Sequence, residues 1–349
     1  MTGDRVTGDR VAGFPWPVGA ATGVGSMPGT DIGEAVATVL GELPDLPHLP
    51  ELPDRGAGAD MIGRTAGLLV EFPVELYVGR WRVAGRPGRD LRGSLDLWHR
   101  DLDALTERTV GLTGPLKVQA TGPWTFAASV DLPIGGRLLR DPGAVRDLTA
   151  SLAEGLRAHV DEVRKRVPGA DVVLQLDEPS LPAVLAGRVP SESGLHTLRT
   201  VTADTAQAAL RSIVESVEVP VIVHCCAPEV PVRLLERAGA HAISLDLDLI
   251  DLDLVKALDP IGEFIDGGGR IFAGAVATRP PSAGRAPSSA QVADRVRGWW
   301  RNLGFAEPML AERVVLTPAC GLAGASVDHA RAALRVSVEA ARRLDPRQS

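Results

Sequence analysis

The sequence predicts an α/β fold in the form of a (β/α)8 TIM barrel, and three observations support this class. Short apolar runs rich in β-branched residues alternate with helical periodicities along the chain. Eight such runs can be identified, which is the strand number of the barrel. The rival fold, an open doubly wound sheet, usually has a glycine-rich phosphate loop after its first strand. The stretch Gly23–Ser26 lacks the rest of that fingerprint.

The predicted strands are short, mostly apolar segments, as expected for parallel strands that are buried on both faces. In chain order they are Ala21–Gly25, His48–Leu52, Lys117–Thr121, Val172–Leu176, Val219–Val223, Ala242–Leu245, Arg270–Ala273 and Arg313–Thr317. The carboxyl ends of barrel strands share one face of the molecule. The residues that end these segments are therefore the first candidates for chemistry.

Helical periodicity fills the connections between the predicted strands. Apolar residues recur at intervals of three and four over Val145–Val163, which indicates an amphipathic helix with one face on a core. Ser288 and Gln291 have the spacing of a capping box, so a helix is expected to start there and to end near Gly304. A last periodic segment covers residues 330–341.

Composition limits the classes of protein to which the chain can belong. Its 349 residues are 45% hydrophobic and carry a net charge of −7, so nothing in it attracts nucleic acid or an anionic membrane. No apolar stretch approaches the roughly 18 residues of a membrane span. Three cysteines without framework spacing favour a reducing compartment over disulfides. We expect a cytoplasmic protein with a disordered tail over residues 1–14 and a single barrel domain over residues 15–349.

Soft metal ligands stand at the ends of two predicted strands. His224 and Cys226 follow the run Val219–Val223, and Cys320 follows another apolar run late in the chain. Thiolate and imidazole suit zinc, and three protein ligands with one open position are typical of a catalytic zinc. Each cysteine alone could be a small buried hydrophobe, but their shared placement predicts a zinc site. Cys225 alternates with its neighbours and is expected to point away as a packed thiol.

Two carboxylates follow other strand ends. Asp246 ends the strand beside His224 and is a candidate fourth zinc ligand, whereas the acidic residues after it are interpreted as a solvated loop. Asp177 ends the buried run Val172–Leu176, where a carboxylate is costly unless it pairs with a cation. That cation could be the ammonium group of a substrate or an arginine of a neighbouring loop.

Two further motifs could contact a substrate. Trp124 follows a strand and a tight turn, so its ring could stack on a flat heterocycle or could be a structural tryptophan under a loop. Ser26, with the amides around it, offers hydrogen-bond donors to an anion such as a carboxylate. A plain turn is the alternative for this second motif.

Taken together, these residues resemble the catalytic C-terminal half of the cobalamin-independent methionine synthase family, and most closely its short, archaeal-type members. The resemblance covers the chain from about Thr22 to Ala341. The motifs that carry it are VGSMP (Val24–Pro28), TGPWT (Thr121–Thr125), QLDEP (Gln175–Pro179), HCC (His224–Cys226), AISLD (Ala242–Asp246) and PACGL (Pro318–Leu322). Their order and spacing make the signal specific, and the family fold is a (β/α)8 barrel.

The resemblance implies a zinc-dependent methyltransferase of methionine biosynthesis that methylates the thiol of homocysteine. The implied zinc ligands are His224, Cys226, Cys320 and, where the family has a glutamate, Asp246. Ser26 and its neighbouring amides would bind the carboxylate of homocysteine, and Asp177, the candidate catalytic residue, would bind the amino group. Glu51 is the nearest candidate for a further substrate-binding glutamate of the family.

The resemblance leaves the methyl donor open between methyltetrahydrofolate and a methyl-corrinoid such as methylcobalamin or a corrinoid protein. An amine leaving group needs a general acid. In the folate-using members a histidine after a late strand serves, and the matching stretch Gly274–Arg279 contains none. His241 or His329 could substitute. A corrinoid leaving group needs no proton, which suits a site without that acid.

Two other functions are compatible with parts of the pattern. A barrel of the uroporphyrinogen decarboxylase type would be a lyase that needs no metal and uses arginines to bind several substrate carboxylates. A non-catalytic zinc-binding or thiol-binding protein would bind metal without methyl transfer. The methyltransferase interpretation explains the largest number of the residues named above.

Overall fold

A six-stranded parallel sheet is the centre of the computed structural model, which describes residues 13–191, 193–251, 255–281 and 285–348. The strands are β1 Val74–Tyr77, β2 Arg80–Val83, β3 Gly114–Thr121, β4 Ala170–Asp177, β5 Val221–Cys225, β6 Ala242–Asp246, β7 Arg270–Val276 and β8 Val314–Pro318. The sheet has the order β3-β4-β5-β6-β7-β8, and every neighbouring pair is parallel. Strands β1 and β2 form a separate antiparallel hairpin, which the sequence did not predict.

Helices alternate with these strands in the chain. They are α1 Ile32–Glu42, α2 Met61–Leu68, α3 Arg89–Arg108, α4 Pro123–Ser129, α5 Pro142–Arg166, α6 Leu181–Leu185, α7 Ala203–Ser216, α8 Val232–Arg237, α9 Val255–Asp266, α10 Ser289–Asn302, α11 Leu310–Arg313 and α12 Val327–Leu344. The predicted capping box is present at α10, where the Ser288 and Gln291 side chains each accept a hydrogen bond from the other residue's backbone N–H. The alternation confirms the predicted α/β class.

The six sheet strands agree with the last six predicted strands to within a few residues, and the sheet curls into half of a barrel. The first two predicted strands do not form continuous ladders in the described part of the chain. Isolated parallel bridges instead join Ala21 to Leu316 of β8 and His48 to Lys117 of β3, and another joins Ser26 to Glu51. The prediction of eight full strands is thus corrected to six strands plus two bridged segments at the free edges of the sheet.

The concave face of the sheet is apolar at one end and polar at the other. A separate apolar cluster contains Trp16, Ala20, Leu46, Val173, Ile222, Ala242, Phe272 and Val315. Val173, Ile222 and Ala242 each lie two residues before a polar residue of the same strand. Because strand side chains alternate, the two sets share one face, and the polar set lies nearer the carboxyl ends. This polar end is where the predicted site residues are found.

Phe14, in the described part of the predicted tail, packs against the apolar cluster. Residues 1–12 of the predicted tail lie outside the described residues, but Phe14 packs against Trp16, with ring centroids 4.7 Å apart. Among the described helices, none combines the length and the apolar character that crossing a membrane would require.

Candidate active site

Three soft ligands meet at the carboxyl end of the sheet. His224 belongs to β5, Cys226 follows it directly, and Cys320 lies just beyond β8. Their ligand atoms all lie within 4.8 Å of one another. The two Sγ atoms are 2.9 Å apart, and Cys320 Sγ is 3.9 Å from His224 Nε2. Segments almost a hundred residues apart in the chain thus place two thiols and an imidazole around one point.

The donor set fits zinc. A separation of up to 4.8 Å is close to twice a zinc–ligand bond of about 2.0–2.3 Å, so one ion can reach all three atoms. His224 Nδ1 lies 2.9 Å from Ser244 Oγ, which leaves Nε2 directed at the sulfurs. A partner on the second ring nitrogen is the usual way in which a metal-binding histidine is oriented. The arrangement therefore has both the ligands and the supporting contact of a zinc site.

The two thiols at this point differ in acidity. The hydrogen bond between them lowers the pKa of Cys320, which His224 lowers further, and raises the pKa of Cys226. One of the two sulfurs is thus favoured as a thiolate, the form that binds metals. Cys225 behaves differently because its side chain is fully buried, and burial raises its pKa to about 12. This agrees with the expectation of an inert packed thiol.

Asp246 lies at the same end of the sheet but outside the three-ligand group. Its Oδ1 accepts a hydrogen bond from the backbone N–H of Asp248 at 2.9 Å and so caps the short helical turn that follows. The described residues that form the compact ligand group are His224, Cys226 and Cys320 alone. Aspartate is one methylene shorter than glutamate, and here that shorter side chain accepts from the backbone two residues further along the chain.

Asp177 is buried beside the ligand group. It ends β4, where its Cα is in register with Thr121 of β3 and His224 of β5. Gln175 Nε2 donates to Asp177 Oδ1 at 2.7 Å. Burial raises the pKa of Asp177 to about 7, and Glu51 contributes to this rise while His224 and Lys117 oppose it. In the described part of the chain no arginine forms an ion pair with Asp177, which gives no support to the arginine alternative.

Ser26 and Glu51 lie together on the neighbouring bridged segments. The two residues are paired in an isolated parallel bridge, and Leu322 N–H donates to Ser26 O at 2.8 Å. A side chain at Gly321 would clash with Ser26 Oγ, so the residue after Cys320 has to be small. The structure therefore brings Ser26 next to the loop that carries a zinc ligand.

Glu51 is a buried carboxylate with a cationic neighbour. Arg64 Nε lies 3.4 Å from Glu51 Oε1, and the same guanidinium pairs with Asp101. Burial raises the pKa of Glu51, while Arg64 and Lys117 oppose the rise. Lys117 thus faces both Glu51 and Asp177. The predicted substrate-binding carboxylates form one electrostatic group.

The prediction that Trp124 stacks on a substrate is wrong. Its side chain is only 1% exposed, and its indole Nε1 donates to Ala206 O of α7 at 3.1 Å. Pro123 starts α4 immediately after the turn, and the ring of Trp124 then packs in the core between the sheet and the helices. Trp124 is a structural residue, which was the alternative interpretation.

Two residues that support the site were missed from sequence. Glu178 is fully buried and accepts hydrogen bonds from Trp124 N, Thr125 N and Thr125 Oγ1, while its own N–H donates to His224 O. It thereby ties three strand ends together. Lys117 is fully buried inside the sheet. Lys117 is the first residue of the predicted strand Lys117–Thr121, in which polar and apolar residues alternate, so the sequence carried no distinct signal for its role.

The two histidines considered as general acids lie in different places. His241 Nδ1 accepts from Val221 N at 3.1 Å, at the amino end of β5 and β6, away from the ligand group. His329, in the first turn of α12, has Nε2 3.1 Å from Ala277 O, just after β7. Only His329 therefore borders the stretch Gly274–Arg279.

Comparisons with known proteins agree with this fold. A protein-family model described as the catalytic domain of cobalamin-independent synthase matches residues 19–343. A solved B12-independent methionine synthase from Shewanella sp. W3-18-1, in complex with selenomethionine, has a TM-score of 0.60 and 15% sequence identity, and the match covers 94% of this chain and 98% of that chain. A search of curated proteins finds no match.

Other solved structures are less similar. The GH113 β-mannanase AaManA from Alicyclobacillus acidocaldarius, in complex with ManMIm, has a TM-score of 0.42 and 14% identity over 96% of this chain and 99% of that chain. A β-galactosidase from Marinomonas ef1 has a TM-score of 0.43 and 13% identity over 93% of this chain and 59% of that chain. The family match spans nearly the whole chain. The chain therefore belongs to the cobalamin-independent methionine synthase family, of which it is a catalytic domain.

Proposed function

We propose that this member of a methyltransferase family is a zinc enzyme that transfers a methyl group to the thiol of homocysteine and forms methionine. The observation that carries the proposal is the convergence of His224, Cys226 and Cys320 beside the buried carboxylate of Asp177. A thiol substrate with an amino-acid end needs both of these features at one place. Neither the metal-free lyase nor a simple zinc-binding protein accounts for the carboxylate.

His224, Cys226 and Cys320 would hold the zinc and leave a fourth position for the sulfur of the substrate. When bound, zinc would stabilise the deprotonated thiol at neutral pH and present it as a nucleophile. We propose that Asp246 is not bound to the zinc but lies near it, because its side chain caps a backbone turn and is outside the ligand group. The three free cysteines support a reducing compartment, and we propose the cytoplasm.

The amino-acid end of homocysteine would lie between Asp177 and the Ser26 turn. The Asp177 carboxylate would pair with the substrate ammonium, which satisfies a charge that is otherwise costly to bury. The Ser26 hydroxyl and neighbouring amides would bind the substrate carboxylate. Glu51, held by Arg64, would add a second carboxylate on the ammonium side. These contacts fix the substrate and so direct its sulfur at the ligand group.

The methyl donor is either methyltetrahydrofolate or a methyl-corrinoid. In both cases a carbon–sulfur bond forms as the bond from the methyl carbon to nitrogen or cobalt breaks. A nitrogen leaving group also needs a proton, and His329 is the histidine that borders Ala277 and could deliver it.

We also propose that the bridged segments at residues 21–25 and 48–52 complete a (β/α)8 barrel within one domain, residues 15–349. The support is the chain of isolated bridges that leads from β8 through Ala21, Ser26 and Glu51, and then through His48 to β3. Barrel closure would bring Ser26 and Glu51 to the same mouth as the zinc ligands.

A two-donor assay tests the proposed function. Purified protein is loaded with zinc and homocysteine and is offered methyltetrahydrofolate and methylcobalamin in separate reactions. We expect one zinc per chain and methionine from at least one donor. A protein that binds no zinc, or that binds it and methylates no thiol from either donor, would contradict the proposal.

A further inference from the structure

We infer that Lys117 is a positioning residue of the amino-acid subsite, where it orients Gln175 so that Asp177 meets the amino group of the substrate as a hydrogen-bond acceptor. The inference rests on the proposed function and deepens it. Lys117 lies deeper in the sheet than the residues at the carboxyl ends of the strands. It has no direct contact with the predicted zinc ligands.

Lys117 has an unusual environment for a lysine. Its side chain is fully buried on β3, although lysines are almost never fully buried unless they are paired. Nζ donates to Val24 O at 2.8 Å, to Gln175 Oε1 at 2.8 Å and to Gln119 Oε1 at 3.1 Å. Three acceptors match the three N–H groups of an ammonium, whereas a neutral amine has only two. The hydrogen-bond geometry around Nζ therefore matches the charged form.

The ammonium decides which way the Gln175 amide points. Lysine has no acceptor, so the Oε1 of Gln175 has to face Nζ, and its Nε2 has to face the opposite way. The two N–H groups of Nε2 reach Val24 O at 2.9 Å and Asp177 Oδ1 at 2.7 Å. An inverted amide would point its oxygen at two further oxygens. Lys117 thus excludes that orientation and secures a donor for Asp177.

The hydrogen bond from Gln175 leaves the second carboxylate oxygen of Asp177 able to accept from a cation. Oδ1 is occupied by Gln175, and no residue in the described ranges donates to Oδ2. The oxygen on the substrate side is therefore an acceptor without a protein partner. Lys117 also faces the second buried carboxylate, Glu51, and its positive charge offsets the repulsion between the two carboxylates. Burial lowers the pKa of Lys117 to about 7, and both carboxylates oppose this shift.

The test compares two thiols that differ only in the amino group: homocysteine and 4-mercaptobutanoate. Lys117→Met removes the charge with little change in side-chain length. For this variant we expect the KM for homocysteine to rise about 10- to 100-fold, the range for losing a hydrogen bond to a charged group. The KM for 4-mercaptobutanoate should change less than about threefold, and zinc content should stay at the wild-type level.

Arg270→Met is the matched control, because it also removes a buried cation from a strand. Arg270 starts β7 at the opposite end of the sheet. The control should lose stability but keep the wild-type preference for homocysteine. If Lys117→Met does not fold, Gln175→Met, which retains the lysine, should show the same loss of preference.

Two results distinguish failure of the inference from failure of the proposed function. If the wild-type protein methylates homocysteine and the variants keep its preference over 4-mercaptobutanoate, the positioning role is wrong and the proposed function stands. If the zinc-loaded wild type methylates neither thiol, the proposed function fails, and the inference fails with it.

Discussion

At the scale of single residues, the site depends on a few side chains whose surroundings differ sharply. Cys225 and Cys226 are adjacent in the chain, yet one thiol is packed in the core and the other faces Cys320. The strand alternation at the end of β5 produces this difference, and it could be predicted from sequence. The burial of Trp124 could not be predicted, because a tryptophan after a strand can turn either towards the mouth of the barrel or into the helix layer.

The first prediction at this scale concerns the zinc ligands. Cys320→Ser removes a thiolate from the three-ligand group, so we expect zinc content to fall from one per chain to well below half. Methyl transfer should be lost in proportion to the metal. Cys225→Ser is the control, since that thiol is packed away from the group, and it should retain zinc. Metal analysis of the two purified variants would contradict the ligand assignment if both kept one zinc.

The second prediction concerns the proton donor. His329→Gln should lower turnover with methyltetrahydrofolate by about 100-fold, within the usual range for general acid catalysis. Turnover with methylcobalamin, whose leaving group needs no proton, should be unchanged. His241→Gln, at the other end of β6, should affect neither reaction. Equal activity of the His329 variant and the wild type with a folate donor would show that the proton comes from elsewhere.

At the scale of elements, the packing of α3 on α5 contains a titratable group with no role in the chemistry. His159 of α5 is buried, and its ring centroid lies 5.3 Å from that of Trp98 of α3. Its Nδ1 has no hydrogen-bond partner among the residues that the structure describes. Burial lowers the pKa of His159 from 6.5 to about 3. The folded protein therefore keeps this ring neutral where the unfolded chain would protonate it.

This difference predicts acid sensitivity. Between about pH 3 and pH 6.5 the unfolded state binds more protons than the folded state, so the free energy of unfolding rises with pH up to about 6.5. The neutral His159 ring should lower the free energy of unfolding by about 1.3 kcal/mol at pH 5.5 relative to pH 7. His159→Phe should remove that part of the pH dependence, measured by urea unfolding at both pH values. A variant with the wild-type pH dependence would show that the ring protonates without unfolding.

Helices and strands could be predicted from the sequence more accurately than side-chain contacts. The last six strands and the α10 capping box were predicted because each has a local signal, namely an apolar run or a capping pair. The β1–β2 hairpin was missed because its strands are four residues long and mix charged with apolar side chains. Lys117 begins a predicted strand in which polar and apolar residues alternate, and only the folded sheet shows that its ammonium has three internal acceptors.

At the scale of the whole molecule, the fold brings together residues that no local pattern connects. Ser26 lies against Gly321 and next to Glu51, and Asp177 lies in register with His224. The sequence could indicate that each of them ends or follows a strand, and the barrel class then implied a shared face. It could not show that the Asp246 side chain would accept from the Asp248 backbone N–H, because that depends on the turn after β6.

The central claim is that two thiols and an imidazole hold one zinc with a position open to the substrate sulfur. X-ray absorption at the zinc edge, recorded before and after homocysteine is added, tests this claim most directly. We predict two sulfur ligands in the first spectrum and three in the second. A sulfur count that does not change when homocysteine is added at saturating concentration would contradict the claim.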